Sequence, residues 1–474
     1  MREKKHFFGD ARLVRSFNAL LVSMALRMSV KLRALSQGRA QEKAFGLFVN
    51  HASVTPEAIL KQYWHERSMS WQGKHLLMYS DGSVLSFKKS ANRKDLGYVG
   101  ESEGLGGFEL HNSLVVDAHS GACYGIGGAQ AQVTHLKSEA EKEAWRRECW
   151  KMPFEQKETY RWYTTMQQSV GNCPGASSYT AISDRESDIY ELFHRYRQKN
   201  WDWVIRVTGA YRSLADPKGK RTVLSRFLEP LPINFTYEIE VCATKKRSAH
   251  TALVHVKHAP VVLLPPEAGP AKDLPSIPSW TVEVREDPST VRPGEPPVHW
   301  TLSTTHEVST QEQARGVIQW YCGRWNIEQL YRTDKKEGLN IEEAELETAH
   351  GLANLATLSI MVASQVMALV MARDGRSDIP CESVFADEEM ECIQQVNAKV
   401  EGPTEKQKNP FKLNSLAFAA WVIARLGGWT TYNKKRPPGP ITMANGLLRF
   451  MAIYEGFSLV KSSMSKNEKD MGIP

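Results

Sequence analysis

From Gly351 to Ala372 the chain runs for 22 positions without a charged side chain. A helix of that length either crosses a bilayer or forms the axis of a protein core, since ~20 apolar residues span the hydrocarbon layer. The run also carries Asn354, Thr357, Ser359, Ser364 and Gln365, and its Ala and Ser residues suit close helix packing. It is read as a buried core helix, and no membrane partner is expected. A second stretch, Ala19–Leu26, follows a basic start but is succeeded at once by Arg27, Lys31 and Arg33 with no small-residue cleavage site, so it is not read as a leader.

Hydrophobic periodicity divides the rest of the chain. Asp10 can cap a helix whose apolar positions Leu13, Val14, Phe17, Leu20, Leu21, Met24 and Met28 keep helical spacing, and Thr55-Pro56 opens another. From about residue 73 strands replace helices. His75–Ser80 ends at Asp81-Gly82, Phe108–Val116 and Ala122–Ile126 follow, and a charged helical region covers Ser138–Gln168. Strand Ser178–Ser183 ends at Asp184, and then come helix Glu186–Gln198 and strand Trp203–Val207. Three consecutive strands followed by alternating helix and strand predict an α/β fold, a mixed sheet flanked by helices.

Residues 208–300 are rich in Pro and β-branched runs and are read as a β-rich insertion, not a continuation of the sheet. After Ser309 the pattern is helical, apart from a polar loop near 374–411 and a Lys/Pro-rich loop at Asn433–Pro440. With 474 residues, about three domains are expected. They are a helical DNA-binding region over 1–70, a catalytic domain over 71–373 and a helical region over 374–474.

Composition is that of an ordinary globular chain, with 42% apolar and 24% charged residues. Seven scattered cysteines (Cys123, Cys149, Cys173, Cys242, Cys322, Cys381, Cys392), none in C-x-x-C, argue against a disulfide framework or a zinc ribbon and for a reducing cytoplasm. Charge is uneven. Residues 1–50 hold 10 Lys/Arg against 3 Asp/Glu and residues 401–474 hold 11 against 5, so the middle of a chain of net charge +7 is acidic. Basic ends around an acidic middle point to a polyanion gripped by the termini, with Arg27, Lys31 and Arg39 among the candidate contacts.

Ser309-x-x-Glu312 reads as a capping box opening a helix to about Lys336. At about 100° per residue, Tyr321, Arg324, Glu328 and Lys335 share one stripe ~60° wide, while Trp320, Gly323, Ile327, Leu330 and Tyr331 face elsewhere. A carboxylate flanked by two cations and a phenol suits a metal-bound phosphodiester, the carboxylate holding the cation and Arg and Lys gripping phosphate oxygens. Asp81 and Asp184, each ending an expected strand, can complete a set of three carboxylates for two Mg²⁺ ions ~3.5–4 Å apart, with Mn²⁺ as a substitute. Asp117 and Asp188 are nearby acids set aside, the latter as a residue favouring a helix N-terminus.

Tyr321-x-x-Arg324-x-x-x-Glu328-x(6)-Lys335 has the spacing of the Tyr-Arg-Glu-Lys signature of the bacterial DDE transposases of the IS-four family. Asp184-Arg-Glu-Ser-Asp-Ile and Leu77-Met-Tyr-Ser-Asp81-Gly-Ser-Val-Leu-Ser-Phe resemble the blocks around that family's two catalytic Asp residues. Glu42-Lys-Ala-Phe-Gly-Leu-Phe-Val-Asn resembles its N-terminal end-binding segment, and Ala424-Arg-Leu-Gly-Gly-Trp429 a C-terminal one. Gly82 departs from the family, whose members usually carry a hydroxyl residue there.

The resemblance implies an RNase H-like catalytic core and cut-and-paste transposition by a DNA-bound homodimer. Water nicks the transposon end, the freed 3′-OH makes a hairpin, the hairpin is hydrolysed, and the 3′-OH attacks target DNA. It implies that Asp81, Asp184 and Glu328 bind the metals and that Tyr321, Arg324 and Lys335 hold the strand. Trp300, 21 residues before Tyr321, would receive an unstacked base. The expected location is cytoplasmic, on the nucleoid when DNA is bound. A catalytically silent end-binding repressor and a nuclease without strand transfer are the alternatives.

Overall fold

Asp10 caps the first helix as expected, its carboxylate accepting the Arg12 N–H at 2.8 Å, and helix α1 (Ala11–Arg27) buries Phe17, Leu20 and Met24 along the anticipated stripe. Helices α2 (Leu32–Leu35), α3 (Arg39–Val49) and α4 (Pro56–Glu66) follow, the last with Thr55 as its cap and Pro56 in its first turn. The computed structural model describes all residues except 1–5, 68, 89–92, 94, 100–104, 136–137, 217, 242, 244–246, 337, 377–378, 431–436 and 471–474. Cys242 and residues 433–436 of the expected Lys/Pro-rich loop lie outside the described residues.

Among the described residues the strands form one twelve-stranded mixed sheet that does not close into a barrel. Strands β1 (His75–Lys88), β2 (Gly97–Tyr98), β3 (Leu105–Asp117) and β4 (Cys123–Gln132) pair antiparallel. Helices α5 (Glu139–Cys149) and α6 (Arg161–Asn172) lead to β5 (Ser178–Ser183), helix α7 (Tyr190–Gln198) and β6 (Asp202–Arg206). Strand β5 lies parallel to β1, and β6 parallel to β5.

Residues 208–300 correct the expectation of a separate insertion. Their strands β7 (Ser213–Ala215), β8 (Arg221–Val223), β9 (Phe235–Val241), β10 (His250–Leu263) and β11 (Ile277–Glu286) carry the same sheet onward, with the short helix α8 (Leu224–Leu228) between. They join it through β12 (His299–Thr304), which pairs with β6 on one edge and β11 on the other. An unpaired edge at β12 would leave a row of backbone donors and acceptors open, and β11 satisfies it.

Helices cover both faces. His111 bonds Thr165 of α6, while its neighbour Asn112 donates to Tyr331 on the opposite side, because successive strand residues point to opposite faces. The expected single helix is two, α9 (Gln311–Cys322) and α10 (Trp325–Lys335). Its cap is Thr310 with Gln313, one residue beyond the expected Ser309-x-x-Glu312 pair.

The uncharged run is helix α11 (Ala349–Ala372), with 89% of its most apolar window buried. It packs against α1, α3, α4, α10 and the β3–β4 hairpin, and also against α13 (Leu416–Leu426) and α14 (Pro440–Asp470). Inside the protein the Asn354 amide N–H groups donate to the carbonyls of Val49 and Val54, and Ser359 donates to Asp334. The expected polar loop at 374–411 contains helix α12 (Asp387–Val400) instead. Met390, Ile393 and Val396 bury one face of it, and three acidic residues favour its N-terminus.

Two buried sites make stability depend on pH. Burial pushes the Asp334 carboxyl up to about 7 against the Ser359 bond, and its Oδ2 has no partner. The folded state therefore holds this proton more tightly than the unfolded chain, and stability is lost as pH rises from 3.8 through about 7. Asp334→Asn is expected to match wild type below about pH 4 and to be more stable than wild type at pH 8 by roughly 1–4 kcal/mol. Urea midpoints at the two pH values measure this, and equal midpoints at pH 8 would refute it.

At the far end of the sheet, Thr180 Oγ1 lies 2.7 Å from His75 Nε2 and 2.8 Å from His306 Nε2, and both rings meet Trp320 edge-on. Burial, and then the charge of His306, hold His75 down at about 4, with Asp202 and Asp117 opposing; burial lowers His306 too. A lowered histidine contributes stability above 6.5 that is lost as pH falls toward 4. The loss should be about 1–2 kcal/mol after allowance for solvent screening. His75→Gln is expected to flatten the wild-type decline between pH 6.5 and 4 in the same unfolding assay.

Candidate active site

Strand β1 extends through Asp81 to Lys88, so Asp81 is not strand-terminal as expected but lies opposite Asn112 of β3. What ends is its other neighbour. Strand β5 accompanies β1 only from His75 to Tyr79, and it stops at Ser183. Asp184 stands at that point and accepts the Glu186 N–H at 3.0 Å. Glu328 comes from the first turn of α10.

Arg324 joins two of these groups. Its Nη1 donates to Asp81 Oδ2 at 2.9 Å, and its Nη2 donates to Glu328 Oε1. The other Asp81 oxygen accepts the Gly82 N–H at 2.8 Å. Burial raises the Asp81 carboxyl to about 6; Arg324 and the Gly82 bond oppose this, and the charges of Asp184 and Glu328 add to it. Burial also works against the charge of Arg324, but Tyr321, Asp81, Glu328 and Asp184 outweigh it and raise its pKa. The Tyr331 hydroxyl, one turn after Glu328, donates to the Asp81 carbonyl at 2.7 Å and ties α10 to β1.

The remaining candidates distribute as follows. Tyr321 is buried, meets Trp300 edge-on with ring centroids 5.5 Å apart, and is raised by burial with Arg324 and Arg206 opposing. Trp300 is half-buried on β12. Lys335 turns inward to donate to the Val84 carbonyl, lies 3.8 Å from Glu342, and is lowered by burial. Of the stripe, Arg324 therefore reaches Asp81 and Glu328 and Tyr321 lies near Arg324, whereas Lys335 is bonded away at Val84, and α9 and α10 are separate helices. Gly323 makes their junction, and a Cβ there would lie 2.2 Å from Tyr79 Oη.

Of the N-terminal cations, Arg27 donates to the Ala34 carbonyl at 2.5 Å and Lys31 pairs with Glu343 at 3.3 Å. Both make contacts within the protein. Arg39 opens α3 on an exposed face with Lys43 and Leu47.

Four residues fall outside the expected set. Arg206, at the end of β6, is lowered by burial beside Tyr321, Arg185 and Asp184, and donates to the His299 carbonyl at 2.8 Å. Its signal was available, since it ends the strand next to the one that Asp184 ends. Glu109 explains Gly82: a Cβ at 82 would lie 2.1 Å from Glu109 Oε1, which pairs with Arg161 at 3.0 Å. Burial raises this carboxyl, with Arg161 opposing. Asp188 does not serve the following helix as expected. It binds the Arg212 side chain and accepts the Thr208 N–H at 2.8 Å, holding the segment after β6. Asp117 accepts the backbone N–H groups of His119 and Ser120 and shapes a turn.

Asp81, Asp184 and Glu328 carry hard oxygens of the kind Mg²⁺ or Mn²⁺ takes, and the Arg324 guanidinium bridges two of them, Asp81 and Glu328. The donor chemistry fits a divalent ion. No three Asp, Glu, His or Cys side chains among the described residues stand together as a metal site. The chain matches no protein-family model.

Proposed function

We propose that this protein is a cut-and-paste DNA transposase with an RNase H-like catalytic core, as its resemblance to the IS-four DDE family implies. The observation that carries the reading is the gathering of Asp81 and Glu328 on one guanidinium, with Asp184 close enough to act on both Asp81 and Arg324. The sheet order β4-β3-β1-β5-β6, antiparallel as far as β1 and then parallel, supports the RNase H-like assignment. Asp81, Asp184 and Glu328 would hold Mg²⁺, or Mn²⁺ in its place. Bound there, the metal would activate the attacking oxygen and stabilise the leaving one.

The protein's own groups would do the rest. Arg206 and Arg324 offer guanidiniums to phosphate oxygens, and a planar fork grips a phosphodiester from two sides. Trp300 packs edge-on against Tyr321 and would supply a flat apolar surface for a base displaced at a hairpin. The exposed face of α3, with Arg39 and Lys43, suits a DNA backbone. On α14, Ile441, Leu448, Ile453, Leu459 and Val460 are exposed, an apolar surface that suits a second copy in a DNA-bound homodimer.

The test is a denaturing gel of a duplex carrying the inverted repeat that flanks the protein's own gene, incubated with and without Mg²⁺. Mg²⁺-dependent nicks followed by hairpin ends are expected. Nicks alone would favour the nuclease, and binding without cleavage the silent repressor.

A further inference from the structure

One guanidinium spans both Asp81 and Glu328, at the place where a divalent cation would have to bridge the same oxygens. Arg324 is only 15% exposed, so this pairing is little weakened by water. A metal ion and a guanidinium cannot share those oxygens, because two cations in contact with one carboxylate pair repel strongly in a site of low dielectric. We propose that Arg324 is a resident counter-ion that releases its carboxylates to the metal when a DNA phosphate takes its guanidinium, so that metal loading and strand docking are one coupled event. The proposal rests on the transposase reading and adds an order of assembly to it.

Two features of the fold fit such an exchange. Arg324 lies at the junction of α9 and α10, where Arg324 and Ile327 donate to carbonyls three residues back and not four. Tyr79 lies close against Gly323, where a Cβ would meet its hydroxyl, and the exchange requires only the Arg324 side chain to change partners. Arg206 and Tyr321 stand beside it, so a phosphate arriving at Arg324 meets a second cation and a phenol. The phosphate offers Arg324 a bidentate partner to replace the one it loses. Linkage makes the effect reciprocal: if DNA favours metal binding by a given factor, metal favours DNA binding by the same factor.

The experiment measures Mn²⁺ binding to the full-length protein by electron paramagnetic resonance, with and without the repeat duplex. Without DNA, Arg324→Gln and Arg324→Ala are expected to bind Mn²⁺ about ten-fold more tightly than wild type. The duplex is expected to tighten Mn²⁺ binding to wild type by a similar factor and to leave both variants unmoved. Variants that bind Mn²⁺ no better than wild type, or a duplex effect that survives both substitutions, overturn the exchange. Glu328→Ala separates this from the underlying reading. If it loses Mn²⁺ while the Arg324 variants gain nothing, only the exchange falls; if it binds Mn²⁺ like wild type, the transposase reading falls with it.

Discussion

Glu328→Ala is expected to lower Mg²⁺-dependent cleavage of the repeat duplex by about 10²–10³-fold while leaving DNA binding within a few-fold of wild type. The size follows from the role. A carboxylate that holds the metal is felt mainly in the transition state, and losing one such electrostatic contact costs about 3–4 kcal/mol of barrier. The substitution also frees Arg324 from one of its two carboxylates. Binding to phosphate should therefore be kept or strengthened. Initial rates on the gel, beside an electrophoretic shift on the same duplex, separate the two effects. A variant that cleaves within ten-fold of wild type would remove Glu328 from the metal set.

Asp188→Ala is expected to destabilise the fold by about 3–5 kcal/mol, because it strands a buried guanidinium. Asp188 and Arg212 have side chains only 8% and 11% exposed, and Arg212 also lies over the Phe193 ring. Asp188 holds the Thr208 N–H as well, so the segment after β6 loses two ties at once. The double variant Asp188→Ala/Arg212→Met should recover part of the loss, since removing both charges leaves no unpaired one. Urea midpoints for the two single variants and the double variant measure this. A single variant as stable as wild type would show that the pair contributes little.

The two acids of the Asp184-Arg-Glu-Ser-Asp-Ile block thus part company, and only the fold separates them. In the sequence both looked like residues at a strand end or the first turn of a helix. Asp184, where β5 stops, acts on Asp81 and Arg324, whereas Asp188 points toward a segment 20 residues later in the chain. Arg206 was missed for the related reason that its value comes from Tyr321 and Asp184, which are distant in sequence. Lys335 was placed correctly on the helix, yet its amine turns inward to Val84, a contact that no helical periodicity contains.

Local chemistry was readable where neighbours in sequence are neighbours in space. Asp10 and Thr55 cap helices, the α1 stripe is buried, and the i, i+4 pair Arg324–Glu328 forms, because a helix repeats every 3.6 residues whatever surrounds it. The uncharged run had to be interior, since 22 positions without charge leave no solvated face, and α11 is the axis the other helices pack on.

Other features depended on partners from elsewhere in the chain. The junction at Gly323 is set by Tyr79 of β1, and the glycine at 82 by Glu109 of β3. The strands of 208–300 extend the sheet because β12 offers them an edge. The sequence by itself therefore determined the helices, the core axis and the types of residue at the site. The tertiary structure alone decided that Asp81 shares Arg324 with Glu328, because charge and packing act through space between segments that sequence spacing does not relate.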